Sequence, residues 1–201
     1  AGSIAGYARN SAIIYNCHSS GSIQASGSGE ASASTHAGGI VGYAENAAIS
    51  YCYNQCTVDT SYQSLLSGYP SYAGGLVGYC SGDGAIDRSY NSGAVTATVG
   101  NYTDAFCGGL IGDCSTSAVT ITDCFNEGAI TAETGVGSSS LFGGDTAYAG
   151  GIVASFAGII ERVYNAGAVN AKVTDTYDLG SGSAYAGGIC GSSASGAKIN
   201  D

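Results

Sequence analysis

The chain has 201 residues, with 34 Gly, 8 Cys, one Pro and neither Met nor Trp, and its 15 acidic against 5 basic side chains leave a formal charge of −10. That balance disfavours nucleic acid and anionic lipid as partners, because approach is opposed by long-range repulsion. Glycine stays short of the one-third that a collagen period demands, and 44% hydrophobic with only 10% charged residues is not the composition of a disordered chain.

From the N-terminus onward a glycine-led motif recurs as AGSIAG, AGGIVG, AGGLVG, CGGLIG, AGGIVA and AGGICG, starting at residues 1, 37, 73, 107, 149 and 186. A second motif follows the first five copies: YNCHSSGSIQA (15–25), YNQCTVDT (53–60), YNSGAVTA (90–97), FNEGAITA (125–132) and YNAGAVNA (164–171). Ahead of the glycines, His36, Tyr72, Phe106, Tyr148 and Tyr185 share one position. A fixed period of this length marks a repeat architecture, so residues 1–201 read as one repeat domain. Because the chain begins and ends inside a recurring motif, it reads as a segment of a longer protein. The longest apolar run, AGGIVASFAGII (149–160), is too short to span a bilayer.

Within each copy the apolar runs are short, rich in Val, Ile and Tyr, and bounded by Gly, Asn, Asp or Ser. This is strand and turn chemistry, and nothing reads as a helix. The expected fold is all-β: a parallel β-helix (a right-handed β-solenoid) of about five coils of 34–42 residues with three short strands each. A β-propeller is the alternative, although four strands per blade fit poorly in so short a repeat. Coils stacked roughly 4.8 Å apart should align Ile4, Ile40, Leu76, Leu110, Ile152 and Ile189 in one internal column. Ile49, Ile86, Ile121 and Ile160 form another, four residues before the aromatic-Asn pair. Asn16, Asn54, Asn91, Asn126 and Asn165 should form an asparagine ladder, a structural device suited to a strand-to-turn junction.

The glycine-led motifs followed by Tyr-Asn-x-Gly-x-Val resemble the GLUG-motif repeats of bacterial surface proteins, and the resemblance runs over essentially the whole chain. It implies an adhesin-like or stalk module at the bacterial cell surface, of the kind that also accompanies secreted IgA-type peptidases. It supplies no catalytic residues. The partners expected are a carbohydrate or host surface protein and the flanking domains of a parent chain.

Chemistry-bearing residues are sparse. With only His18 and His36 present, the paired-histidine helix of a zinc peptidase cannot be written, and no cofactor or metal is expected. Cys17 and His18 are adjacent, but neighbouring strand residues point to opposite faces. Carbohydrate cleavage by a β-helix enzyme is the alternative function; a hydrolase would need a carboxylate pair such as Asp83 with Asp113 or Asp87 with Glu161. The Asp175–Asp178 loop lacks the Asp/Asn alternation of a calcium loop. The eight cysteines mostly stand where other copies have small residues, which marks them as buried small hydrophobes, and only Cys80 and Cys114 share a position in adjacent coils. The segments between repeats place Tyr62, Tyr69, Tyr102, Asp104, Phe142, Asp145, Asp175, Tyr177 and Asp178 along one wall. Rings beside carboxylates suit sugar binding. Finally, Arg88, Asp123 and Arg162 fall at one site of three consecutive coils, so opposite charges should alternate up the solenoid.

Overall fold

A computed structural model describes residues 1–28, 34–63, 69–100, 103–136, 145–175 and 182–200. Every strand pairing in it is parallel, and partners lie one repeat apart in sequence, which defines a β-solenoid and excludes the propeller.

Three sheets run along the solenoid. The first stacks Thr35–Gly38, Ser71–Gly74, Ala105–Gly108, Thr146–Gly150 and Ser183–Gly187; another stacks Ser22–Ser28, Thr57–Gln63, Val95–Val99, Ile130–Val136 and Val169–Asp175. Between them lies a bent sheet that differs from the simple three-strand expectation, because most coils cross it in up to three short arms. The third coil, for example, uses Val77–Ser81, Gly84–Asp87 and Tyr90–Asn91. The breaks have a local cause. At the second corner one residue of each of the first five coils adopts a left-handed conformation: Asn16, Tyr51, Asp123 and Arg162 have φ between 51° and 55°, and Arg88 has 45°. These five occupy a single column, following directly on the paired residues Tyr15, Ser50, Asp87, Thr122 and Glu161. A left-handed residue turns the chain sharply, so the arms diverge there.

Alternating side chains fill the interior. Ile40, Leu76, Leu110 and Ile152 are fully buried in one column, joined by backbone bonds such as Leu76 N to Leu110 O at 2.9 Å. Ile4, on the first rung, is 47% exposed, and Ile189 packs against the cluster from the last. Val41, Val77, Ile111 and Val153 line the same cluster with Ile49, Ile86, Ile121 and Ile160. A second cluster, built on Val58, Val95 and Ile130 with small partners Ala97 and Ala132, lies between the outer two sheets. No single coil could bury these faces alone, so stability comes from stacking.

Candidate functional site

Asn54, Asn91 and Asn126 are fully buried and, with Asn165, form one continuous hydrogen-bonded stack. Asn91 Nδ2 donates to Asn126 Oδ1 in the next coil at 2.7 Å and to Gly93 O in its own turn at 2.8 Å, while its Oδ1 accepts from Gly93 N and from Asn54 Nδ2. The Asn54, Asn91 and Asn126 amides thus each tighten their own turn and bond the coils on either side, leaving neither donor idle. The second glycine of the motif in coils two to five is part of this arrangement. A Cβ built on Gly75 would stand 2.3 Å from Cγ of Asn91 and 2.1 Å from the Gly109 carbonyl. Gly39, Gly109 and Gly151 meet Asn54, Asn126 and Asn165 in the same way. The two sequence motifs are therefore two sides of one packing unit.

The first coil departs from the expected ladder. Ser19, not Asn16, pairs with Asn54 in register, and its Oγ donates to Asn54 Oδ1 at 2.6 Å. Asn16 instead occupies the left-handed corner column. The Tyr15–Asn16 dipeptide looks like the motif, but Ile14 pairs with Ile49, and five residues separate that core isoleucine from the stack position in both coils. Burial of Ile14 outweighs local resemblance, and Ile14 four residues before His18 was the signal for it.

Rings form columns on the outside. His36, Tyr72, Phe106, Tyr148 and Tyr185 stack at 4.8–5.5 Å, and His18, Tyr53, Tyr90, Phe125 and Tyr164 at 4.7–5.1 Å with nearly parallel planes. A further run, Tyr7, Tyr43 and Tyr79, turns its rings against His36 and Tyr72. Each such pair contributes roughly 0.5–1.5 kcal/mol beyond its buried area. Within a column the ring faces are taken by neighbouring rings, so the inner members offer only their edges to solvent.

The residues read as a sugar-binding wall separate into two groups. Tyr62 is 2% exposed and belongs to the second core cluster, with Tyr69 packed edge-on at 6.3 Å. A large ring gains more by burial against Val99-type neighbours than by exposure, so Tyr62 presents no sugar-stacking face. Asp104 accepts from Thr146 N at 2.8 Å in the next coil, and burial raises its pKa. Asp145 is buried, and its carbonyl accepts from Ser183 N. Tyr102, Phe142, Tyr177, Asp178 and the side chain of Asp175 lie outside the described residues.

Three of the four carboxylates considered for hydrolysis, Asp113, Asp87 and Glu161, are engaged. Asp113 is 4% exposed and accepts from Ser115 N at 3.0 Å, with burial raising its pKa. Asp87 accepts from Thr122 Oγ1 and pairs with Arg88 at 3.5 Å; Glu161 pairs with Arg162. The backbone N of Asp83 donates to Asn46. In the charged corner, Arg162 makes a two-pronged contact with Asp123, at 2.6 and 3.0 Å. Arg88 does not complete the alternation: its guanidinium bonds the Tyr51 hydroxyl below it.

None of the eight cysteines is in a disulfide. Burial pushes the Cys80, Cys107 and Cys124 thiols up to about 12, which suppresses the nucleophilic thiolate. Cys17 packs towards the core while His18 stacks on Tyr53, so the adjacent pair forms no dyad. The register also aligns Cys17 with Cys52, a neighbour relation hidden by the misleading Asn16. Cys17, Cys52, Ser89, Cys124 and Val163 form one column just past the left-handed corner. Here sulfur does polar work: Cys52 Sγ accepts from Cys17 N at 3.4 Å, Ser89 Oγ from Cys52 N at 3.0 Å, and Cys124 Sγ from Ser89 N at 3.4 Å.

Stacked coils, inward aliphatics and a buried amide column define a parallel β-solenoid repeat protein. The family model of the GLUG motif matches residues 33–58 and 69–96, the second and third coils, so the chain carries GLUG-motif repeats. No curated protein and no solved structure matches the chain.

Proposed function

We propose that the chain is a non-enzymatic stalk or adhesive module of an extracellular, bacterial cell-surface protein, the role that the GLUG resemblance implies. The observation supporting it is the amide stack from Ser19 through Asn165, which ties five consecutive coils by side-chain bonds of 2.6–2.8 Å along the solenoid axis. Such a column resists separation of coils, which is what a load-bearing spacer needs. Carboxylates that a hydrolase would keep available are used between or within coils, as with Asp104, Asp113, Asp123 and Glu133. Partners would be flanking domains of the parent chain and a carbohydrate or host protein.

Single-molecule pulling along the axis tests the mechanical role. The wild-type chain should extend only above a defined force, and Asn91→Ala should lower that force. An unchanged force in the variant would reject the stack as the load path, and turnover on a polysaccharide panel would reject the non-enzymatic reading.

A further inference from the structure

The first corner of the bent sheet varies in length from coil to coil. Cys114, Phe156 and Ser193 are register partners, as are Thr120, Ile159 and Lys198. Residues 115–119 join them in the fourth coil and 194–197 in the sixth, but the fifth crosses with Ala157 and Gly158 alone. So short a corner needs glycine: Gly158 has φ +145°, and a Cβ there would stand 2.1 Å from the Val119 carbonyl. A tight corner between two longer ones leaves a notch.

That notch is an open groove of about 510 Å³, with Ala157, Gly158 and Ile159 as floor, Ser115 and Ala118 on one wall, and Ser195 and Lys198 on the other. Its volume falls within the roughly 300–1,000 Å³ of small-molecule sites. Among the described residues Arg88, Arg162 and Lys172 pair with carboxylates, whereas Lys198 is in no ion pair. Lys198 is an exposed ammonium bordering this groove on a chain of charge −10.

We propose that this notch binds a carboxylate-bearing sugar unit, of the uronic or sialic acid type. One ammonium matches one carboxylate, whereas a phosphate dianion favours several cations or a guanidinium fork. The Ser195 hydroxyl can donate to and accept from sugar hydroxyls, and Ala157 and Ile159 on the floor, with Ala118 on the wall, offer apolar contact to the C–H face of the ring. The proposal goes beyond the stalk reading and does not rest on it, since pulling and ligand titration measure different properties.

Titration of the ¹⁵N-labelled chain with methyl glucuronide, N-acetylneuraminic acid, methyl glucoside and acetate, followed by amide shifts, provides the test. The expected result is shifts centred on Ala118, Ala157, Ile159, Ser195 and Lys198, with at least one acidic sugar binding tenfold or more tightly than both neutral glycoside and acetate. Lys198→Gln should abolish that preference, and Ala157→Leu, which fills the floor, should weaken binding at least tenfold with the amide spectrum elsewhere unchanged. Equal binding of acetate and the acidic sugars would reduce the notch to a carboxylate contact and overturn the proposal. So would an acidic-sugar preference that survives Lys198→Gln, or no shifts at millimolar ligand.

Discussion

Gly75 and Asn91 are in contact across the interior of the third coil, so closely that even one methyl group on the glycine would stand 2.3 Å from the amide carbon. Asn91→Ala removes an amide with partners in two adjacent coils and leaves Gly93 O, Asn54 Nδ2 and Asn126 Oδ1 short of a bond. At about 1–3 kcal/mol for each orphaned buried group, a loss of about 3 kcal/mol or more is expected in urea unfolding. Gly75→Ala should cost at least as much, and adding Asn91→Ala should not rescue it, because the Gly109 carbonyl 2.1 Å away remains. Full rescue would show that the side chain alone sets the glycine requirement.

The cysteine column predicts an unusual tolerance. Ser89 already makes the bonds of its cysteine neighbours, accepting from Cys52 N and donating to Asp87 O at 2.8 Å. Cys52→Ser should therefore shift stability by less than about 0.5 kcal/mol, while Cys52→Val, which keeps volume but removes the acceptor for Cys17 N, should cost about 1–2 kcal/mol. Chemical denaturation of both variants checks the order, and equal costs would return Cys52 to a purely apolar role.

Asp123 makes its corner ion pair with Arg162. The hydrogen bonds from Arg162 hold its carboxyl below the usual range, so the pair contributes stability above the unfolded-state pKa and loses it as pH falls through the folded-state value. Asp123→Asn, which keeps a residue suited to the left-handed backbone, should lower the denaturant midpoint at neutral pH and low salt, with the difference shrinking in high salt and in acid. A difference insensitive to both would assign the effect to packing.

His36 should add a second acid sensitivity. Burial in the ring column lowers its pKa from 6.5 to about 4, so between those values the unfolded chain binds more protons, and stability falls as pH drops from about 6.5 towards 4. His36→Phe, which places in this coil the ring that Phe106 supplies two coils along, should flatten that part of the stability profile relative to wild type. Parallel profiles for the two proteins would mean that His36 is not the titrating group.

Two inward hydroxyls, Thr60 Oγ1 and Thr134 Oγ1, are buried without a hydrogen-bond partner. Thr60→Val keeps the shape and removes the unmet polar atom, so a gain of about 1 kcal/mol is expected from urea unfolding. A loss would point to a buried water serving that hydroxyl.

The repeat period, the parallel stacking and the identity of the core columns were determined by sequence alone. A side-chain alternation of two leaves little freedom once Ile40, Leu76, Leu110 and Ile152 recur at matching offsets. The AGG glycines and the asparagines were equally legible as motifs, but their contact was not, since it joins residues 14–17 positions apart around a coil. Ser19 replaces Asn16 in the stack, a choice that the position of Ile14 already hinted at, whereas tertiary structure alone decided that Arg88 turns to Tyr51 and that coil five leaves a notch beside Lys198. The notch depends on corner lengths compared between neighbouring coils. Interstrand register and core burial are settled over a whole turn of the solenoid, and where they conflict with a local motif, as at Tyr15–Asn16, the many bonds and buried groups of the turn outweigh the dipeptide.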